Sequence, residues 1–387
     1  MTGSPATRAK ALLLIDYLAT IPDPRVVGRT SYRLVDLLVT TILAFLSGAE
    51  DFVEVEIFAH GRRRWLRRFA DFGKTIPSHD TFDRVFRLVD PKALSQRLSE
   101  WLIAVSKAIS GDTIAIDGKT SRHSFDTASG LRSLHMVTAW ATEARLVLGN
   151  TAVREKSNEI TAIPDLLELI DIKDCIVTID AMGCQRKIAQ LIIERKGNYI
   201  FGLKGNQPEM EREVREFFEH AESTRWKDIP HSEWTSTDAG HGRIETRRVV
   251  CTSDVKWFED RLKWAGLRCF GYVESVRTNK ATGKTSTERR YFISSLDGTD
   301  AKRFGTAIRS HWGIENELHW VLDVQYREDD SRARKDNSAA NMAIIRRFLV
   351  SLVKKDKSTK RSGKGKRKMA GWDPNYLTKL LALVAVE

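Results

Sequence analysis

Two short apolar, β-branched runs, Thr113-Ile-Ala-Ile-Asp117 and Cys175-Ile-Val-Thr-Ile-Asp180, each end in an aspartate. Runs of this length and composition predict buried strands. A carboxylate at the end of a buried strand is costly unless it is paired or holds a cation. Either acid alone could simply cap the turn after it, as Asp117-Gly118 and Asp180-Ala-Met-Gly183 both allow. Two of them on one sheet edge favour a hard-cation site, because Mg²⁺ prefers carboxylate oxygens.

The surrounding pattern supports that sheet. Residues 133–141 and 145–153 read as two more strands, 158–170 as a helix, 184–195 as another helix, and 199–203 as a strand. The order βββ-α-β-α-β predicts an α/β sheet with helices packed on it. Residues 206–299 break the plan. A charged helix (208–220) leads into strand-like stretches at 245–252, 268–277 and 288–295, which reads as a β-rich insertion. A long helical region resumes near Ala301 and passes His319, so residues 300–353 complete the α/β part.

Upstream, residues 8–110 read as an all-helical region, with apolar residues at three- and four-residue spacing (Leu34, Leu37, Leu38, Ile42, Phe45). Ser78 is placed to cap a helix containing Phe82, Val85 and Phe86. The expected division is therefore 1–110, 111–205, 206–299, 300–353 and 354–387. In the last segment, 358–369 reads as a low-complexity basic linker and 372–386 as a terminal amphipathic helix.

Charge separates these regions further. The 387 residues carry 63 Lys and Arg against 51 Asp and Glu, a formal net charge of +12. The segment 354–368 contributes +8, and Arg62, Arg63, Arg64, Arg67 and Arg68 contribute +5, which leaves −1 for the rest. Concentrated charge of this kind suits a polyphosphate partner, whose counterions are released on binding. No stretch approaches the roughly 18 apolar residues of a membrane helix. The N-terminus lacks signal-peptide order, and Cys175, Cys184, Cys251 and Cys269 show no metal-ribbon or disulfide spacing. These features predict a soluble cytoplasmic protein, associated with the nucleoid and not with membrane. Gly118-Lys-Thr120 is not the end of a P-loop, since position 113 is Thr where that motif needs Gly.

The third element of a cation site lies in His311-Trp-Gly-Ile-Glu315-Asn-Glu-Leu-His319-Trp320. Helical spacing puts His311, Glu315 and His319 on one face. Three readings follow: a transition-metal site using the histidines, a polar helix stripe with aromatic anchors, or a Glu315 that joins Asp117 and Asp180.

The order strand Asp, strand Asp, helix Glu resembles the DDE transposases of the ribonuclease-H-like fold. The separation of 135 positions from Asp180 to Glu315 suits bacterial insertion-sequence members that carry a β-rich insertion there. Ile116-Asp-Gly-Lys119, Leu203-Lys-Gly-Asn-Gln207, His241-Gly-Arg-Ile-Glu245 and His311-Trp-Gly-Ile-Glu-Asn316 are similar to the H-repeat-associated transposases. Asp23-Pro-Arg25 and Pro77 to Phe82 match that family's helical N-terminal region. The resemblance covers about residues 10–355. It implies a ribonuclease-H-like mixed sheet with flanking helices, interrupted by a β-rich insertion and preceded by an all-helical domain. It also implies DNA cleavage at element ends and strand transfer to target DNA. Asp117, Asp180 and Glu315 would hold two Mg²⁺ ions, with Mn²⁺ able to substitute, and the protein would assemble on DNA as a homodimer or larger.

Lys119, Lys204, Arg243, Arg247, Arg248, His311, Asn316, Arg63 and Arg67 are the expected DNA contacts. Trp226, Trp234, Trp257 and Trp264, in or beside the insertion, are candidates for stacking on an unpaired base. The wider superfamily places Tyr, Arg and Lys around the third acid where this chain has Ile308, His311 and Leu322. The departures at His311 and Leu322 motivate one alternative, a non-catalytic DNA-binding relative; a second, a structure-selective nuclease, shares the acid site but joins no strands.

Overall fold

The structure is a computed structural model describing residues 14–106, 109–125, 130, 132–153, 159–240 and 242–383. His241 of the His-Gly-Arg-Ile-Glu motif, the helical readings for 8–13, 107–108 and 158, and the last residues of the expected terminal helix lie outside these.

Helices precede the sheet: α1 (residues 14–19), α2 (Leu34–Leu46), α3 (Phe52–Gly61), α4 (Arg63–Leu66), α5 (His79–Leu88) and α6 (Pro91–Ala104). The middle of the chain runs β1 (Thr113–Thr120), β2 (His135–Ala141), β3 (Leu146–Val153), α7 (Glu159–Leu169), β4 (Ile176–Ile179), α8 (Arg186–Glu194) and β5 (Asn198–Leu203). Then come α9 (Pro208–Ser223), β6 (Ser232–Gly240), β7 (Arg243–Thr252), β8 (Cys269–Asn279), β9 (Thr285–Ser294) and α10 (Ala301–Gly313). The chain finishes with α11 (Trp320–Tyr326), α12 (Ser338–Lys355), α13 (Gly363–Trp372) and α14 (Pro374–Leu383). No helix among the described residues is long and apolar enough to cross a membrane.

The chain divides into two compact units. The first holds residues 1–108, 118–162 and 315–387. Its axis is α12, buried along almost its whole length from Ser338 to Val353. A helix covered on all sides needs polar residues that pair internally. Arg347 does so: Nη1 meets Glu328 Oε1 at 2.5 Å and Nε donates to Thr138 Oγ1 at 3.1 Å. Asn341 Nδ2 donates to the carbonyls of Phe86 and Val89 at the end of α5, 2.8 and 2.9 Å away. β2 and β3 form an antiparallel hairpin, and the end of β1 lies beside β2, giving the order β3-β2-β1.

The basic segment differs from its expected form as a linker. Residues 363–372 fold into α13, whose Ser362 side chain caps it by accepting from Gly365 N–H. Lys366 and Arg367 are buried. Lys366 donates to the carbonyls of Val353 and Asp356 at the end of α12, and Arg367 to Phe45 O at the end of α2. Cations satisfying the orphan carbonyls of helix C-termini are favourable there. The composition reads as a solvated tail because it does not show which lysines meet helix ends.

The second unit holds residues 109–117 and 163–314. Its strand order is β1-β4-β5-β9-β8-β7-β6, with β1, β4 and β5 parallel and the rest antiparallel. β9 pairs with β5 (Ile200 opposite Ser294, Leu203 opposite Tyr291), so the expected insertion extends the sheet. β6 has no counterpart among the expected strands. Its sequence Ser-Glu-Trp-Thr-Ser-Thr-Asp-Ala-Gly is polar on both faces, as an edge strand can be. α10 packs on this sheet through Phe304, Ala307 and Ile308 against Val249, Val273 and Phe292. Gly271 is required there, because a Cβ would sit 2.7 Å from the Phe304 ring.

Candidate active site

The parallel register positions the first two acids. Ile116 lies opposite Ile179 and Ile179 opposite Phe201, so the next position on each strand is Asp117, Asp180 and Gly202. Neighbouring strands are about 4.8 Å apart, which puts the two residues at adjacent positions at the carboxyl end of the parallel strands. Ligands bind at such ends in open α/β sheets. Asp117 is half-buried and lies inside β1, which runs on to Thr120 and does not stop at the acid as expected. Asp180 is exposed and follows β4 directly. Its Oδ1 accepts from the N–H groups of Met182 (3.0 Å) and Gly183 (3.3 Å). The turn-capping reading of Asp180 is thus observed, and it orients the carboxylate without using both oxygens.

The third acid begins a distorted helical turn. α10 ends at Gly313, and residues Ile314–His319 wind as a π-helix before α11. Such turns are rare and concentrate at functional sites. Glu315 is exposed and His319 is buried, with Glu315 Oε2 at 3.4 Å from His319 Nδ1. Within the second unit, His311 Nδ1 shares a 3.0 Å hydrogen bond with Thr178 Oγ1, fixing the last turn of α10 against β4. Glu315 is the residue bonded to Ile314, where that unit ends.

Gly118, immediately after Asp117, has a structural requirement that the sequence does not reveal. A Cβ there would overlap His135 Nε2 and lie 2.5 Å from Glu159 Oε1. Those two side chains are buried and paired at 2.5 Å, and His135 Nδ1 also meets Thr120 Oγ1 at 2.8 Å. The pair comes from β2 and the start of α7, so only the pairing of β1 with β2 could have exposed it. The one visible signal is a lone histidine on an apolar strand.

The expected DNA contacts separate into two groups. Lys119 is buried and paired to Asp323 (2.8 Å) and Asp329 (3.5 Å). Arg63 donates to the carbonyls of Gly73 and Lys74. Arg247 sits between Asp238 (2.7 Å) and Glu245 (2.6 Å). Arg248 is bound by Glu233 and Glu222, and the Glu233 bond pushes its pKa further up. These four charges have partners within the protein, so each would exchange one to meet a phosphate. Lys204, Arg243, Asn316 and Arg67 are exposed, Arg243 with its Nη2 4.0 Å from Glu245 Oε2, and Lys204 directly follows β5.

The four tryptophans singled out also have internal partners. Trp257 stacks on Phe217 at 4.6 Å, Trp226 on His231 at 4.1 Å, Trp264 is buried and Trp234 packs on the core beneath α10. Among the described residues the exposed tryptophans are Trp312 (48 %), Trp320 (55 %) and Trp372 (75 %), the first two flanking Glu315 in sequence. The packing of these tryptophans was not legible, because Trp226, Trp257 and Trp264 sit in turns and bends, where no hydrophobic period marks the inward side.

The model of the "Transposase DDE domain" family matches residues 109–353, and that of the "DDE_Tnp_1-associated" family matches residues 15–102. The chain is 39 % identical to a putative transposase, YncI, of Escherichia coli O157:H7 across 95 % of its own length and 94 % of the relative's. It is 38 % identical to the H repeat-associated putative transposase YhhI of Escherichia coli K12, across 95 % and 97 %. A solved structure of the piggyBac transposase synaptic complex with hairpin DNA gives a looser likeness, with a TM-score of 0.43 and 12 % identity over 96 % of this chain and 79 % of that one. With the strand-end aspartates, the mixed sheet and these full-length relatives together, the chain belongs to the DDE transposase family, among its H repeat-associated members.

Proposed function

We infer that this chain cuts DNA at the ends of a mobile element and joins those ends to target DNA. The observation that carries this reading is the adjacency of Asp117 and Asp180 on β1 and β4 in a chain of this family. Glu315 supplies the third carboxylate. His311, tied to Thr178, anchors the helix from which the π-turn starts one residue before it. An all-oxygen donor set fits Mg²⁺, with Mn²⁺ as substitute. When bound, two such ions would activate the attacking oxygen and stabilise the leaving one.

The chain's own residues have separate tasks. The Met182 and Gly183 N–H groups hold the Asp180 carboxylate in one orientation. The His135–Glu159 pair fixes the backbone at Gly118 and so the direction in which Asp117 leaves β1. Lys204 extends past the same strand ends, where a phosphate would lie. Arg67, Arg243 and Asn316 extend the contact along DNA, and the protein acts as a dimer or larger on paired ends.

The test uses purified protein, DNA carrying the element's ends, and Mg²⁺ or Mn²⁺. Wild type should yield nicked ends and joined products. Asp117→Asn, Asp180→Asn and Glu315→Gln should each cut more than ~100-fold more slowly, beyond what loss of an outer-shell partner costs. Variants that cut as well as wild type would overturn the assignment. Cutting without joined products would make the protein a nuclease.

A further inference from the structure

Within the first unit a cleft of about 280 Å³ lies between β3, the start of α6 and the start of α12. That is near the lower end of small-molecule sites. Leu134 and Ile344 give it apolar walls, while Lys92, Arg132 and Arg334 bring three cations to it and Asp90 and Asp336 two carboxylates. Asn150, from β3, lines the cleft and is only 6 % exposed, yet its Oδ1 accepts no hydrogen bond from the described residues. A buried carbonyl oxygen left unsatisfied is costly, so a native one calls for an explanation. The main chain of Asn150 is already engaged, pairing with Thr138 and accepting from Ser95 Oγ, so β3 cannot shift to relieve it.

The rim favours an anion. α12 begins at this cleft with no side-chain cap on its first turn, and Ser338 N–H donates instead to Lys335 O, so the positive end of the helix dipole adds to the rim. Among the described residues Arg334 donates through Nε to the His123 carbonyl, so its two terminal nitrogens remain as donors. α6 also starts here, but Asp90 already caps it. The cleft therefore combines apolar walls, one buried acceptor and a rim on which the three cations outnumber Asp336 and the cap-engaged Asp90.

We propose that this cleft binds a nucleotide. The base lies between Leu134 and Ile344 and donates an amino or ring N–H to Asn150 Oδ1, while its phosphate meets Lys92, Arg132 and Arg334. The nucleotide is either free or one unit of an unpaired strand; the chemistry is the same. None of the three acids takes part, so binding needs no metal.

Full-length protein is titrated calorimetrically, without metal, with the four deoxynucleoside monophosphates and with inorganic phosphate. At least one nucleotide should bind over ~10-fold more tightly than phosphate. Asn150→Leu, close in volume and free of the unsatisfied oxygen, should keep its melting temperature and lose about 10-fold in nucleotide affinity. Lys92→Met, at an exposed position, should weaken nucleotide and phosphate alike. Asp117→Asn should bind like wild type, which separates failure here from failure of the cleavage reading. If a single-stranded hexanucleotide displaces the nucleotide through Asn150, the unit is part of a strand; if it does not compete, the ligand is free nucleotide. Nucleotide binding no tighter than phosphate, or unchanged in Asn150→Leu, would overturn the proposal.

Discussion

At the scale of single residues, the first acid depends on a neighbour that cannot have a side chain. Gly118→Ala would force a methyl into the His135–Glu159 pair. Overpacking of that kind costs about 1–3 kcal/mol. A lowered urea midpoint, with a loss of end cleavage larger than the fraction unfolded explains, is the expected result. Equal stability and equal cleavage would show that the pair yields freely. A second buried pair, Arg347 with Glu328, belongs to folding alone. Both side chains are essentially fully buried, so Glu328→Gln leaves the guanidinium without its counter-charge. The expected cost is about 3–5 kcal/mol in denaturant unfolding. The carboxylates at 117 and 180 were legible because each follows a strongly apolar run. Glu328 was not, because its partner lies 19 positions away on another helix.

At the scale of elements, β6 to β9 are tied to α9 by a charged network. Glu222 of α9 accepts from Tyr272, Arg289 and Arg248. Burial alone would raise its pKa, but the Tyr272 and Arg289 hydrogen bonds outweigh that and lower it. A carboxylate whose folded pKa is depressed contributes stability above its unfolded value, roughly pH 4.3, and loses it as pH falls through the folded value. Stability measured by urea midpoint should therefore fall through and below that range. In Glu222→Gln the acid limb should be shallower and the neutral-pH midpoint lower. An identical pH profile would show that Glu222 does not shape that limb. The same scale explains the misread segment 358–369. Its lysines and glycines suggest solvated chain, but Lys366 and Arg367 meet the carbonyl ends of α12 and α2. Lys366→Ala combined with Arg367→Ala should therefore destabilise the first unit by about 1–3 kcal/mol, in keeping with buried acceptors left unpaired. A midpoint equal to wild type would restore the linker reading.

At the scale of the whole molecule, the clustered charge divides into a buried and an exposed part. Of the nine basic residues in 354–368, Lys357, Lys360, Arg361, Lys364 and Lys368 are exposed. Deleting the segment would also remove the helix-end bonds of Lys366 and Arg367, so point changes are the cleaner test. Converting those five to Ser should weaken DNA binding and flatten its salt dependence by about 0.9 for each phosphate no longer neutralised, while the chain stays folded. An unchanged slope would assign DNA binding to other residues. Sequence alone determined most of the order of strands and helices, the family likeness and the concentration of charge. Each of these is a local pattern or a motif that survives without knowledge of partners. Tertiary structure decided which cations are neutralised, that β9 joins β5 so the insertion extends the sheet, that His311 anchors α10 on Thr178, and that the insertion tryptophans are packed inward. Those depend on which residues distant in the chain become neighbours. Neither hydropathy nor spacing encodes that directly, because a lysine facing a carbonyl and a lysine facing water have the same local sequence.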